Sequence, residues 1–291
     1  PETLDILVYA KLIHSYTFTM STKHFIKYKR HLNMSRFENF IFSIEGAKSL
    51  KKGGGLFYFW IEGKSTRGVE LTLENDQIEI RNTTLSNTTD YELTNAMTQE
   101  ALSLTDGTIF NEEEEEIIDF PLYTMNYISS TENHDVQIFS ELLARNHDVS
   151  IFGPIREVHF GKRLYAELKG LGIEELKEKI YSYILNVNYN LPEYEMGTVM
   201  QVSRTEDHKK YLKLLTNKTS LIITKYDYIA LDTTDENPII ITNEILNTML
   251  PWNWKLVDEY TVVAPITNKD EWIRLLADAK KADLWNEFAG R

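Results

Sequence analysis

Four consecutive residues, Gly63-Lys64-Ser65-Thr66, spell the end of a phosphate-binding loop. In such a loop the backbone amides and the start of a helix surround the phosphate, and the lysine neutralises it. That chemistry also needs a glycine five positions before Gly63 and a helix directly after Thr66. Position 58 is a tyrosine inside the apolar run Leu56–Ile61, and Gly68–Leu73 alternates apolar with polar as a strand does. Without a helix terminus the phosphate would meet too few amides, so the tetrapeptide reads as a hairpin connection.

Other residue types that could do chemistry are present without the spacing it requires. His14, His24, His31, His134, His147, His159 and His208 form neither H-E-x-x-H nor an i, i+4 pair, and a zinc site would need distant residues to converge. There is no cysteine, so thiol nucleophiles, disulfides and cysteine metal sites are excluded. No G-x-S-x-G elbow and no G-x-G-x-x-G turn after a strand occurs, and no carboxylate pair singles itself out. Asn111–Glu116 reads NEEEEE, which could bind calcium or dock a basic partner. Adjacent glutamates point in different directions and no D-x-D-x-D-G loop wraps an ion, so a solvated loop is the better reading. No catalytic residue, metal ligand or cofactor is expected, and enzymatic activity is left open with the balance against it.

The balance of charge narrows the partners. Lys and Arg number 31 against 44 Asp and Glu, a net of −13. Residues 1–52 hold nine basic and four acidic side chains, so they carry +5 and the remainder −18. An acidic body disfavours non-specific nucleic-acid or anionic-lipid binding. The basic stretch Lys23–Lys52, interleaved with Phe25, Tyr28, Phe37 and Phe40, reads as a solvated surface over aromatic core positions, and nucleic acid is not an expected partner. No apolar run is long enough to span a membrane, and the first thirteen residues do not form a secretory signal. A cytoplasmic location is expected.

The elements that must position any site follow from periodicity. Leu56–Ile61, Gly68–Leu73 and Gln77–Ile80 predict a three-stranded antiparallel meander over residues 53–81. Leu56, Tyr58 and Trp60 face one way and Phe57, Phe59 and Ile61 the other, so this strand is expected to be covered on both sides. Strands are expected within Leu4–Thr19 and over Phe40–Ile44, and residues 47–55 as a flexible entry. Thr89-x-x-Glu92 matches a capping box, and a helix is expected from there to Asp106. Val136–Ala144 and Ile173–Leu185 are helix candidates. Ser203-x-x-Glu206 is a second box, with a helix expected to about Leu215. Strands are expected at Thr108–Phe110, around Ile155–Phe160, and at Val199–Val202, Leu221–Thr224, Tyr228–Leu231, Ile239–Thr242 and Tyr260–Ala264. A short helix is expected at Glu244–Leu250, and a last one capped at Thr267. Hairpins with single packed helices and no regular βαβ alternation place the chain in the α+β class, with antiparallel meander sheets in two subdomains, 1–148 and 149–291.

At Glu62–Glu70 (EGKSTRGVE), at Phe152–Phe160 (FGPIREVHF) and around Tyr260–Pro265, the chain resembles members of an uncharacterised bacterial family, a domain of unknown function about as long as this chain. The resemblance implies no activity and supplies no catalytic residues. Arg67, Glu70, Arg156 and Glu157 are the charged positions inside the matched motifs. They are the candidate ligand-binding residues, although paired charges pinning a loop or strand end explain them equally well. Trp252 and Trp254 flank Asn253 and serve either a contact surface or the core. The leading expectation is a non-enzymatic protein-interaction protein, of an immunity-like or structural kind, with a protein partner. The alternative is a small-ligand-binding protein or hydrolase with its site at the subdomain junction and Arg67 and Arg156 recognising an anion.

Overall fold

A computed structural model describes residues 21–145, 148–202, 210–234 and 237–289. In chain order these form β1 (Ser21–Lys27), α1 (Met34–Phe42), β2 (Ala47–Gly53), β3 (Leu56–Ile61), β4 (Val69–Leu73), β5 (Gln77–Thr83), α2 (Thr88–Thr105), β6 (Thr108–Phe110), α3 (Met125–Arg145), β7 (Asp148–Phe152), β8 (Glu157–Gly161), α4 (Lys162–Leu168) and α5 (Ile173–Tyr189). They continue with β9 (Val199–Gln201), β10 (Tyr211–Leu215), β11 (Leu221–Ile223), β12 (Tyr228–Leu231), β13 (Ile239–Ile241), α6 (Asn243–Asn247), β14 (Lys255–Leu256), β15 (Val262–Ala264), α7 (Lys269–Ala279) and α8 (Trp285–Ala289). The fold is α+β. The strands expected within Leu4–Thr19 and the box at Ser203–Glu206 lie outside the described residues. Two compact units are present. One takes in residues up to Phe139 with Phe152–Ile155 and Leu171–Leu185; the other takes in Ser140–Ile151, Arg156–Gly170 and the residues from Asn186 on.

The first unit is built on a six-stranded sheet in the order β2-β3-β4-β5-β1-β6. Every pairing in it is antiparallel, and the expected meander forms its centre. Phe57, Phe59 and Ile61 point to the core together with Val69, Leu71, Ile78 and Ile80, where they meet α1 and α2 through Phe37, Ile41, Leu93 and Met97. On the opposite face of β3, Tyr58 is buried while Leu56 and Trp60 are half-buried. Lys52 Nζ sits 4.3 Å above the Tyr58 ring, so a cation covers part of that face.

Three local expectations in this unit are corrected. Phe40–Ile44 is not a strand: Asn33 caps α1 by accepting from Arg36 N at 3.1 Å, and Phe37 and Ile41, four apart, are both fully buried. Residues 47–53 are not a flexible entry but strand β2, paired along β3 with a register shift between Lys51 and Gly53. Its lysines suit an edge strand, where they discourage pairing with another chain. The box at Thr89 is displaced by two residues. Asn87 is the cap, its side chain accepting from Asp90 N at 3.2 Å while Asp90 Oδ2 accepts from Asn87 N at 3.2 Å.

The second unit has a four-stranded sheet in the order β13-β12-β10-β9, a three-stranded sheet β11-β15-β14 and the pair β7-β8. Its main core gathers Ile223, Ile229, Ile241, Trp254, Val262 and Trp272. Tyr211–Leu215, expected in a helix, is strand β10. It pairs parallel with β12 and antiparallel with β9, and a five-residue apolar segment carries too short a pattern to resist that pairing. Thr267 is not the cap of α7. Asn268 takes that role by accepting from Glu271 N at 3.0 Å, and Thr267 Oγ1 instead accepts from Trp254 Nε1 at 2.7 Å.

Candidate functional site

The connection from β3 to β4 carries the Gly-Lys-Ser-Thr residues and is tied to the start of α2. Ser65 and Thr66 are fully buried, and Gly68 turns the chain into β4 with φ +64°. Asp90, also fully buried, receives Thr66 Oγ1 at 3.1 Å, Arg67 N at 2.9 Å and Gly68 N at 3.0 Å, besides its bond from Asn87. Burial pushes the Asp90 carboxyl up, and the donors from Arg67, Ser65, Asn87 and Thr66 oppose that shift. The loop is held by a side-chain carboxyl group of its own chain.

Arg67 and Glu70 follow directly. The carbonyl of Arg67 accepts from Tyr58 Oη. Burial lowers the pKa of its guanidinium, and Nε is enclosed without an acceptor among the described residues. Glu70 lies on the outer sheet face, 3.6 Å from both Lys52 Nζ and Arg81 Nη1, and so sits inside a cross-strand ladder of charges. Arg156 and Glu157 belong to the second unit. Arg156 N donates to Asn188 Oδ1 at 3.1 Å, burial lowers the pKa of its guanidinium, and Nη1 is enclosed without an acceptor among the described residues. Glu157 opens β8 and is half-buried.

A recess of about 430 Å³ in the first unit is lined by Asn87, Thr88, Glu132, Lys177 and Tyr181 with three further glutamates. Lys177 Nζ is occupied by Glu174 at 2.9 Å and Asn133 Oδ1 at 3.1 Å. Among the described residues no group of three or more histidine or carboxylate side chains is placed to hold a metal ion. Asn111–Glu116 is an exposed loop turned by Asn111 Oδ1, which accepts from Glu113 N at 3.0 Å and Glu115 N at 2.8 Å. Much of the basic stretch is matched to carboxylates, as in Arg30 with Asp106 at 2.7 Å and Lys48 with Glu62 at 3.1 Å.

The two tryptophans around Asn253 divide. Trp254 is buried, whereas Trp252 is 83% exposed and Ile266 59% exposed. Asn253 Nδ2 donates to Ile266 O at 3.4 Å, and Ile266 N donates to Ser220 Oγ at 3.1 Å, so the two turns that present Trp252 and Ile266 are fastened to each other.

A family model described as a domain of unknown function (DUF4299) matches residues 11–198, which is 188 of 291 residues. The chain belongs to this family. No curated protein and no solved structure gave a match. The DUF4299 match takes in Arg67, Glu70, Asp90, Arg156 and Glu157 and ends before Trp252. Among the described residues no helix is long and apolar enough to cross a membrane.

Sequence reasoning does not single out Asp90, because its role rests on partners more than twenty positions away. A local signal was available in the Asn87-x-x-Asp90 spacing, which fits a cap as well as Thr89-x-x-Glu92 does.

Proposed function

We propose that the chain works as a protein-interaction module whose contact is centred on Trp252. The observation that carries this reading is the exposed Trp252 ring on a turn fixed from beneath by buried Trp254. A turn already held in place loses little freedom on docking, and a large amphipathic ring on a turn tied to that of exposed Ile266 is the kind of anchor that dominates protein contacts. Truncating such an anchor costs about 2 kcal/mol or more, roughly 30-fold in affinity.

The experiment places a photocrosslinking residue at position 252 and, as a control, at exposed Lys255, in the native cell extract. Crosslinking to one defined protein from 252 and not from 255 is expected, with Trp252→Ser weakening binding of that protein at least 30-fold and leaving thermal unfolding unchanged. Absence of a specific adduct at 252 overturns the reading.

A second reading, recognition of a small anion, is favoured by Arg67 Nε and Arg156 Nη1, which meet no acceptor among the described residues. A phosphate ion would supply the missing acceptor. Inorganic phosphate should then raise the unfolding temperature of the protein, and the substitution at whichever guanidinium takes the ion, Arg67→Gln or Arg156→Gln, should remove that rise. An equal rise in both variants sinks it.

A further inference from the structure

The second unit gathers a hydroxyl, an imidazole and an ammonium around the strand pair β7-β8. Ser150 lies on the exposed face of β7, and its Oγ is 2.7 Å from Nδ1 of His159 on β8. His159 is only 1% exposed. Its backbone is fixed from both sides: His159 N donates to Asp258 Oδ2 at 3.1 Å and its carbonyl accepts from Glu259 N at 3.3 Å. Asp258 is itself immobilised by Tyr260 N at 2.9 Å and by Thr261 N and Oγ1 at 2.6 and 2.9 Å. The Tyr260 ring packs edge-on against the imidazole with centroids 5.4 Å apart. An exposed hydroxyl therefore meets an imidazole with little freedom to move away.

A cation stands on the same side. Lys225 Nζ is 2.8 Å from Asp148 Oδ2 and 4.5 Å from the centre of the Tyr260 ring. Asp148 precedes Ser150 by two residues, so both project from one face of β7, about 7 Å apart along the strand, and both oxygens of the carboxylate hold the ammonium, at 3.0 and 2.8 Å.

We propose that Ser150 is a nucleophile toward carboxylic esters, with His159 as its general base and Lys225 facing the developing oxyanion. Ser150 Oγ forms a bond to the ester carbonyl carbon, the carbonyl electron pair moves to oxygen beside Lys225, and the hydroxyl proton passes to His159 Nδ1. Collapse expels the alcohol, which takes that proton from His159. Water then attacks the acylated serine, again giving a proton to His159, and the acid leaves with Ser150 restored. The sum is ester plus water to acid plus alcohol. The arrangement is recognised by its geometry, since no G-x-S-x-G turn surrounds Ser150.

The test is labelling of the full chain with an alkyl fluorophosphonate, whose phosphorus Ser150 Oγ would attack with loss of fluoride. The expected result is one adduct per chain on the Ser150 peptide, absent after heat denaturation and absent in Ser150→Ala, whose native fold is verified by cooperative thermal unfolding because the change removes the 2.7 Å partner of buried His159. Lys225→Met should slow labelling at least tenfold without moving its position. An unlabelled native protein, a label on another residue, or equal labelling of the denatured chain overturns the proposal. Labelling of Lys225→Met at the wild-type rate overturns the oxyanion role. Failure here leaves the Trp252 contact untouched, because that reading is scored by crosslinking at a different residue.

Discussion

Thr66 Oγ1 and Asp90 Oδ2 are 3.1 Å apart in full burial, and the same carboxylate takes the amides of Arg67, Gly68 and Asn87. The three backbone amides all donate, one to Oδ1 and two to Oδ2, while the Thr66 hydroxyl also reaches Leu85 O at 2.7 Å, so an amide in place of the carboxylate must turn an NH2 group toward at least one backbone N–H. Asp90→Asn is expected to lose about 2–3 kcal/mol, the scale of a charge-assisted bond replaced by a buried mismatch. Urea unfolding of the two proteins side by side measures it, and an unchanged midpoint would show that the loop does not depend on the anion.

Gly68 completes the same turn and carries the second prediction. Its φ is +64°, and a Cβ there would lie 2.6 Å from the Phe59 carbonyl oxygen and 2.9 Å from the Tyr58 ring. Neither neighbour can retreat, because Phe59 is in the core sheet and Tyr58 Oη is bound to Arg67 O. Gly68→Ala combines a disfavoured backbone with a steric conflict, and an expected loss of about 2–4 kcal/mol follows from those two costs together. Gly63→Ala, with open space around its Cβ position and φ +74°, should cost only the backbone share, about 1 kcal/mol. The comparison of the two unfolding midpoints separates crowding from conformation.

The meander was legible because its strands alternate at period two and its turns contain glycine. The helix α1 was not, since Phe40–Ile44 suits a strand as well as a helix and the deciding residue, Asn33, stands seven positions earlier. Strand β2 was hidden by a lysine and glycine composition that describes an exposed edge rather than a loop, and β10 by a pairing partner sixteen residues on, from Leu212 to Tyr228. The sites fared similarly. Arg67 is conspicuous in sequence, but Asp90 acquires meaning only when the loop at 65–68 closes over it. Trp252 and Trp254 are indistinguishable by composition, and only the folded chain, which buries Trp254 and bonds its Nε1 to Thr267 Oγ1, shows which one the core retains.

His24 supplies an acid-side prediction. It is buried between Thr98 and Tyr123, with Nε2 2.7 Å from Thr98 Oγ1 and Nδ1 3.4 Å from Tyr123 Oη. Thr98 already donates its hydroxyl to Thr94 O at 2.8 Å, so Nε2 must carry the proton given to Thr98 and the ring is held neutral. Burial lowers its pKa from 6.5 to about 3. With the folded value depressed, its contribution is present above pH 6.5, diminishes as pH falls and levels off below about 3, a total of about 5 kcal/mol. His24→Leu leaves Thr98 bonded to Thr94, so the difference in unfolding free energy between wild type and variant should change across that window and be flat above it.

Lys213 supplies the alkaline counterpart. It is fully buried on β10, its Nζ finds no hydrogen-bond partner among the described residues, and it lies 5.9 Å from the centre of the Tyr226 ring. Burial pushes its pKa down from 10.5 to about 8. Below pH 8 the fold therefore bears the full cost of an unsolvated ammonium, and that cost disappears as pH rises through 8 toward 10.5, by about 3 kcal/mol. Lys213→Met keeps the length of the side chain and removes the charge. At pH 7 the variant should be more stable than wild type by about 2–3 kcal/mol, and the advantage should vanish by pH 10.5. Chemical unfolding of both proteins at those two pH values decides it: a variant less stable at pH 7 would mean that the ammonium is solvated or paired and that the strand gains from its charge.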